Sequence, residues 1–118
     1  MTTKRKKFTC FICGYMTLDS RCEWDICPIC FWEDDILVCT DEDDRISSAN
    51  GLSVSEAQAN YIEFGAIEKR FLDKVRKPLP NEKHDKNWTP LARALERVRQ
   101  DRGDRYGNSG NSDEFQIP

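Results

Sequence analysis

Two cysteine pairs decide the fold of this chain: Cys10-Phe-Ile-Cys13-Gly14 and Cys27-Pro-Ile-Cys30-Phe31. A Cys-x-x-Cys turn places two sulfurs on one side of a tight loop, and two such loops facing each other enclose one ion in a sulfur tetrahedron. Thirteen residues separate the pairs, which is enough chain for a hairpin that sets the two loops side by side. The pattern predicts one structural zinc ion, Zn²⁺, bound by Cys10, Cys13, Cys27 and Cys30.

Other chemistries for the same four sulfurs stay open at this point. Iron also accepts four thiolates, and the Cys-x-x-Cys-Gly-Tyr string is similar to half of a rubredoxin, although Phe31 stands where rubredoxins carry glycine. A redox dithiol is a further interpretation, but no βαβ pattern surrounds the motifs. Four thiolates leave no coordination position for water or substrate, so a closed site stabilises a fold without catalysing a reaction.

The composition explains why the chain needs a metal. At 118 residues, with 38% hydrophobic and 33% charged side chains, it fits one domain with a modest apolar core, and small domains often need a metal or disulfides. No secretory signal or long apolar run is evident, so we expect a cytoplasmic protein whose cysteines stay reduced. Cys22 and Cys39 are then expected to be free thiols, and His84 a solvated side chain.

The rest of the chain divides into a basic flexible leader at residues 1–7, a single zinc-ribbon plus helical domain at 8–103, and a flexible tail at 104–118. The predicted fold class is α+β, with a small N-terminal zinc-ribbon β-hairpin packed against two or three α-helices. The apolar side chains expected in its core are Val54, Tyr61, Phe64, Ile67, Phe71, Leu91, Leu95 and Val98.

Two helices are predicted from capping signals and apolar spacing. Ser53 and Glu56 form a Ser-x-x-Glu capping box at the start of the first, and its apolar stripe continues in nearly the same phase past Gly65 to about Val75. Gly65 either ends this helix or only weakens it, so one continuous helix or an additional short one is expected to reach about Val75. The second helix is expected to begin after Thr89 and to stop at Gly103.

Charge is segregated along the sequence. The net charge is −3, yet residues 8–44 hold ten carboxylates against Arg21 alone, a local charge of −9. This acidic stretch lies beside aromatic side chains and is interpreted as a face for a basic protein partner, whose encounter charge complementarity would accelerate. The residues assigned to that face are Trp32, Glu33, Asp34, Asp35, Asp41, Glu42, Asp43 and Asp44. In the simpler alternative, the aromatic rings only cover the metal hairpin while the carboxylates are solvated.

Three classes of function are compatible with these features to different degrees. The preferred hypothesis is a non-catalytic, zinc-stabilised protein-interaction module, specifically a bacterial toxin-neutralising immunity protein that binds a basic toxin. A zinc-ribbon nucleic-acid-binding protein is the alternative, with phosphate contacts from Lys4–Lys7, Arg93, Arg97, Arg99 and Arg102, although the acidic segment opposes it. An enzyme is not expected, because the sequence shows no Ser/His/Asp set, phosphate loop or dinucleotide fingerprint.

Several stretches together resemble the bacterial CPCC-type cysteine-rich proteins, over roughly residues 8–75. The stretches that carry the resemblance are Cys10–Leu18, Asp25–Asp35, Ala49–Ala57 and Phe64–Ala66. The first pair reads Cys-Phe-Ile-Cys where the family name implies Cys-Pro-Cys-Cys, so Ile12 replaces a cysteine and that position is not an essential ligand. The resemblance implies zinc binding and no established activity.

Overall fold

The computed structural model describes residues 7–38 and 44–106, with side chains through residue 100. The elements run in the order β1 (Phe8–Thr9), β2 (Met16–Leu18), α1 (Val54–Phe64) and α2 (Ala92–Tyr106), with a 3₁₀ turn at Lys69–Phe71 before α2. The predicted class, a small α+β fold with a hairpin near the N-terminus, is confirmed.

The hairpin surrounds the first cysteine pair instead of joining the two pairs. β1 and β2 are antiparallel, with Phe8 opposite Leu18, Thr9 opposite Met16 and an irregularity in register between Phe8 and Thr9. The Cys10 amide donates to the Tyr15 carbonyl at 2.9 Å, which continues the pairing into the turn. A two-stranded ribbon this short is not stable alone, so its conformation depends on what packs against it.

The second cysteine pair lies in the turn of a similar but shorter ribbon. Ile26 and Glu33 form an antiparallel bridge. The Cys27 amide donates to the Trp32 carbonyl and the Trp24 amide to the Asp34 carbonyl, both at 3.0 Å. Each cysteine pair therefore forms the turn of its own ribbon. The sequence predicted one hairpin that joins the two pairs, and the structure has two separate ribbons instead.

Helix α1 begins as predicted and ends before Gly65. The Ser53 side chain accepts from the Glu56 amide while the Glu56 carboxylate accepts from the Ser53 amide, so the capping box is confirmed. Gly65 then adopts a left-handed conformation with φ of 99° and ends the helix. Gly65 therefore ends the helix, which is one of the two alternatives that the sequence left open. The helix expected to reach Val75 is not formed, and a 3₁₀ turn at Lys69–Phe71 takes its place. Beyond Gly65 the chain turns across the second ribbon, where the Ile67 amide donates to the Cys30 carbonyl at 3.0 Å.

Helix α2 packs against α1, and its residues Ala94 and Val98 are both buried. The predicted stop at Gly103 is also wrong, because the helix continues to Tyr106. Most of the leader and tail proposed from the sequence, at residues 1–6 and 107–118, lies outside the part of the chain that the structure describes. Neither α1 nor α2, as far as the chain is described, is long and apolar enough to cross a membrane.

The core forms where the two cysteine turns meet α1. Four of the predicted core residues are buried, namely Val54, Tyr61, Ile67 and Val98. Phe71 and Leu91 are partly buried against the same cluster, while Phe64 and Leu95 are only half-buried. The largest fully buried side chain is one assigned to the partner face, Trp32.

A fully buried glutamine, Gln58 of α1, joins three segments of this core. Its Nε2 donates to the Phe11 carbonyl and its Oε1 accepts from the Leu91 amide, both at 2.8 Å. Gln58→Leu removes both bonds while preserving volume, so we expect the free energy of unfolding to fall by about 2 kcal/mol.

Equilibrium denaturation with urea measures this change, and Gln100→Leu at an exposed position of α2 is the matched control. The control should change stability by less than about 0.5 kcal/mol. Equal effects of the two substitutions would contradict a linking role for Gln58.

Candidate metal centre

The four predicted ligands converge in the interior. Cys10, Cys13, Cys27 and Cys30 are fully buried, and their four sulfurs all lie within 4.8 Å of one another. The shortest contacts cross between the two turns, at 3.6 Å from Cys10 to Cys30 and 3.7 Å from Cys13 to Cys27. A tetrahedral ion with metal–sulfur bonds of about 2.3 Å requires sulfurs about 3.8 Å apart. The thiols are free, and their spacing fits a shared ion far better than a disulfide of about 2 Å.

The two turns repeat the same backbone geometry. The Gly14 amide donates to the Cys10 carbonyl and the Phe31 amide to the Cys27 carbonyl, each at 2.8 Å. The residue after each second cysteine is left-handed, with φ of 83° at Gly14 and 73° at Phe31. Glycine adopts this conformation readily because it has no Cβ, whereas phenylalanine does not.

Phe31 adopts the left-handed conformation against the preference of a side chain with a Cβ, which costs about 1–2 kcal/mol. Its ring lies 4.5 Å from the ring of Phe71, measured between centroids, and such aromatic pairs contribute about 0.5–1.5 kcal/mol beyond buried area. This contact offsets part of the backbone strain and holds the chain after α1 against the second cysteine turn.

The carbonyls of the first turn are bound by donors from distant parts of the chain. Phe11 O accepts from Gln58 Nε2 and from the indole Nε1 of Trp88, both at 2.8 Å, and Cys13 O lies 3.1 Å from His84 Nε2. A carbonyl only accepts, so Nε2 of His84 carries a proton in this contact. The prediction that His84 is solvated is wrong: its ring is half-buried, edge-on to Tyr15 and Trp88.

The carbonyls of the second turn are bound in a similar way. Ile67 N donates to Cys30 O at 3.0 Å and Arg76 N donates to Pro28 O at 3.1 Å. Both turns thus have their outward carbonyl groups satisfied by segments that follow the cysteines in sequence. This external bonding constrains the backbone of both cysteine turns.

The electrostatics of the cluster favour a bound cation. Burial raises the pKa of Cys10 and of Cys30 well above the usual thiol value. Hydrogen bonds from Cys10 and the other two cysteines lower the pKa of Cys27, whose sulfur also lies 3.1 Å from Thr17 Oγ1 and 3.4 Å from the Ile29 amide. Four buried thiolates without a positive charge between them would be very unfavourable, so the donor set fits a thiophilic metal ion.

Three residues assigned to the partner face are buried instead. Trp32 lies in the core, the Asp34 carboxylate accepts from the Cys22 amide at 2.5 Å, and the Asp35 carboxylate accepts from Ser47 Oγ at 2.7 Å. Their side chains satisfy internal donors and fill internal space. This placement does not agree with the direct contact to a partner that the sequence analysis assigned to them.

The remaining residues of that assignment differ in their surroundings. Glu33 is half-buried, with its backbone bonded to Asn50. The Asp44 carboxylate accepts from the amide and hydroxyl of Ser55 near the start of α1, and these bonds help to lower its pKa despite partial burial. Asp41, Glu42 and Asp43 lie outside the described residues.

Cys22 does not have the state that the sequence analysis expected. It is disulfide-bonded rather than a free thiol. Cys39, for which a free thiol was also predicted, lies outside the described part of the chain. Cysteine count and an assumed compartment were therefore insufficient to assign Cys22, which lies beyond the Cys-x-x-Cys pairs.

Two Cys-x-x-Cys turns with four converging buried sulfurs define a small cysteine-rich protein with a ribbon-like cluster that could hold a metal ion. The chain belongs to the Cysteine-rich CPCC family, which matches it over residues 8–82. No curated protein and no solved structure matches it. The family match contains all four candidate ligands and ends before His84 and Trp88, although both bind the first turn.

Gly14 offers a test of how closely these later residues approach the first turn. A Cβ at this position would lie 2.4 Å from Trp88 Cε3 and 2.5 Å from His84 Nε2, whereas one at Gly51, also left-handed, would meet open space. Gly14→Ala should lower the free energy of unfolding by about 3 kcal/mol or more, by adding steric overlap to backbone strain.

Thermal unfolding followed by circular dichroism compares this variant with Gly51→Ala, which carries the backbone strain alone and should lose only about 1–2 kcal/mol. Similar losses from both substitutions would show that the contact of Gly14 with Trp88 and His84 does not constrain the fold.

Proposed function

We propose that this protein is a non-catalytic protein-interaction module whose fold is stabilised by one zinc ion bound to Cys10, Cys13, Cys27 and Cys30. The observation that carries the metal part is the convergence of four buried sulfurs within 4.8 Å. A full set of four protein ligands leaves no position for a reacting water, and so supports a structural role.

Zinc is preferred among the ions that thiolate tetrahedra hold. Paired Cys-x-x-Cys turns are typical of structural zinc sites, in which binding free energy becomes folding free energy. The short ribbons of this chain, of two and three residues in β1 and β2, are the kind of structure that needs such support.

The test of the metal site is elemental analysis of the purified protein together with its stability after chelation. We expect one zinc per chain, and loss of dispersed amide signals in the NMR spectrum when a strong chelator removes the ion. Cys13→Ser should reduce bound zinc at least about tenfold, because it removes one of four ligands.

Ile12→Val is the matched control, since Ile12 is buried beside the ligands and offers no donor atom. It should retain full zinc content and cost only about 0.5–1.5 kcal/mol of stability. A protein that holds no metal, or keeps its fold under chelation, would contradict the proposal, and stoichiometric iron would overturn the assignment to zinc.

The interaction part of the proposal is supported by charge. The net charge of −9 across residues 8–44 suits a basic protein partner and disfavours phosphate. The specific form of this proposal is a toxin-neutralising immunity protein for a basic toxin, which predicts protection when the two proteins are expressed together. Growth arrest by a toxin encoded beside this gene, undiminished by co-expression, would count against it.

Nucleic-acid binding has less support. Arg93 and Arg97, two of the arginines considered for phosphate contacts, lie 3.5 and 3.7 Å from the Asp44 carboxylate, and Arg97 also donates to Ser55 Oγ at 3.0 Å. These contacts fix α2 to the start of α1. They give both arginines a role within the fold that requires no nucleic acid.

A further inference from the structure

Most of the exposed large apolar side chains in the described residues belong to one stretch of the chain. Of the seven such residues in the described ranges, five lie between positions 24 and 46, and the other two are Leu72 and Leu79. The five are Trp24 (44% exposed), Ile26 (49%), Ile36 (55%), Leu37 (61%) and Ile46 (58%), which we call the apolar ribbon surface. A cluster of this kind on a small protein marks an interaction site more often than isolated exposed side chains do.

Hydrogen bonds bring the three segments that carry these side chains together. Residues 24–26 pair with 33–34 through the bridge of Ile26 to Glu33 and the bond from Trp24 N to Asp34 O. Residues 46–47 join 35–37 through Ser47 Oγ and Leu37 N, which both donate to the Asp35 carboxylate, at 2.7 and 2.9 Å. The two buried aspartates, Asp34 and Asp35, therefore link the three segments that carry the apolar ribbon surface.

The backbone at the edge of this surface is held in a strained conformation. Trp24 has a φ of 71° and Cys22 a φ of 58°, and a left-handed conformation is rare for a bulky residue. Both amides donate to Asp34, to its carbonyl and its carboxylate respectively. A Trp ring kept exposed on a fixed backbone loses little conformational freedom on binding, and Trp is enriched among residues that dominate binding energy.

Charge around the surface determines the kind of partner that fits it. Residues 19–38 hold six carboxylates and one arginine. Glu23, next to Trp24, is exposed, and Glu33 lies opposite Ile26. A second copy of this chain would bring the same negative charge against itself, which opposes self-association, whereas a cationic partner is attracted.

We propose that the apolar ribbon surface binds a basic segment of a partner protein. Apolar side chains of this segment pack over Trp24, Ile26 and Leu37. Its lysine or arginine side chains lie beside Glu23 and Glu33. This inference rests on the interaction function proposed above and adds the place of contact and the chemistry of the partner. It assigns the partner contact to the exposed apolar residues flanking Trp32, Asp34 and Asp35 rather than to those three.

The test is an NMR titration of ¹⁵N-labelled full-length protein with a synthetic peptide of alternating leucine and lysine, kept below its own association limit. We expect amide shifts concentrated at residues 24–26, 33–37 and 46, together with a shift of the Trp24 indole signal. Leu37→Ser should weaken binding at least about tenfold, because it removes an apolar contact. Glu23→Lys should weaken it to a similar degree, because it reverses a charge at the surface. Raising the salt concentration from about 50 to about 500 mM should also weaken it, because surface charges are then screened.

Leu79→Ser is the matched control, because Leu79 is exposed to a similar degree but lies outside the surface, and it should leave the affinity unchanged. A second peptide with every lysine replaced by glutamine should bind much more weakly. The proposal would be overturned by amide shifts that map elsewhere or by equal binding of the two peptides. Concentration-dependent dimerisation that Leu37→Ser abolishes would also overturn it.

The two proposals fail in distinguishable ways. Metal content and amide dispersion are measured on the same sample before the titration. A folded, zinc-bearing protein that does not bind the lysine peptide at this surface overturns the docking inference alone. A protein without bound metal overturns the proposed zinc function, while the titration still reports whether the surface binds the peptide.

Discussion

The burial of four cysteine sulfurs in one small volume is the constraint on which the rest of this structure depends. A chain with short strands and two helices has little apolar surface to bury. Its hydrophobic core includes the four cysteines of the two turns. Burial raises the pKa of Cys10 and of Cys30, so these two thiols are unfavourable to ionise in the interior without a positive charge nearby. A cation bound between the four sulfurs would offset that cost and link the two ribbons.

The two ribbons are built alike and supported differently. Each has the same closing hydrogen bond and the same left-handed residue after its second cysteine. The first is held by an imidazole, an indole and a glutamine side chain, and the second by backbone amides of the segment after α1. Gly14 allows the close approach of rings to the first turn, while Phe31 supplies a ring of its own to the second.

Local signals in the sequence predicted local structure well. The paired cysteines and the capping box at Ser53 each depend on residues a few positions apart, and each was found. Apolar periodicity left open whether the helix ends at Gly65 or continues to Val75, because it reveals neither the left-handed cap at Gly65 nor the hydrogen bond from Ile67 N to Cys30 O. The burial of Asp34 and Asp35 and the contacts of His84 involve partners far away in sequence, so charge and composition gave no sign of them.

The support of the first ribbon by His84 and Trp88 has a consequence for how the molecule is assembled. Cys13 and His84 are 71 positions apart, and Phe11 and Trp88 are 77 apart, so these contacts enclose most of the chain in one loop. While the polypeptide leaves the ribosome, all four sulfurs are available long before the rings that hold the first turn. Capture of the proposed metal ion can therefore come early in biosynthesis, whereas the first turn reaches its final rigidity only after residue 88 has emerged.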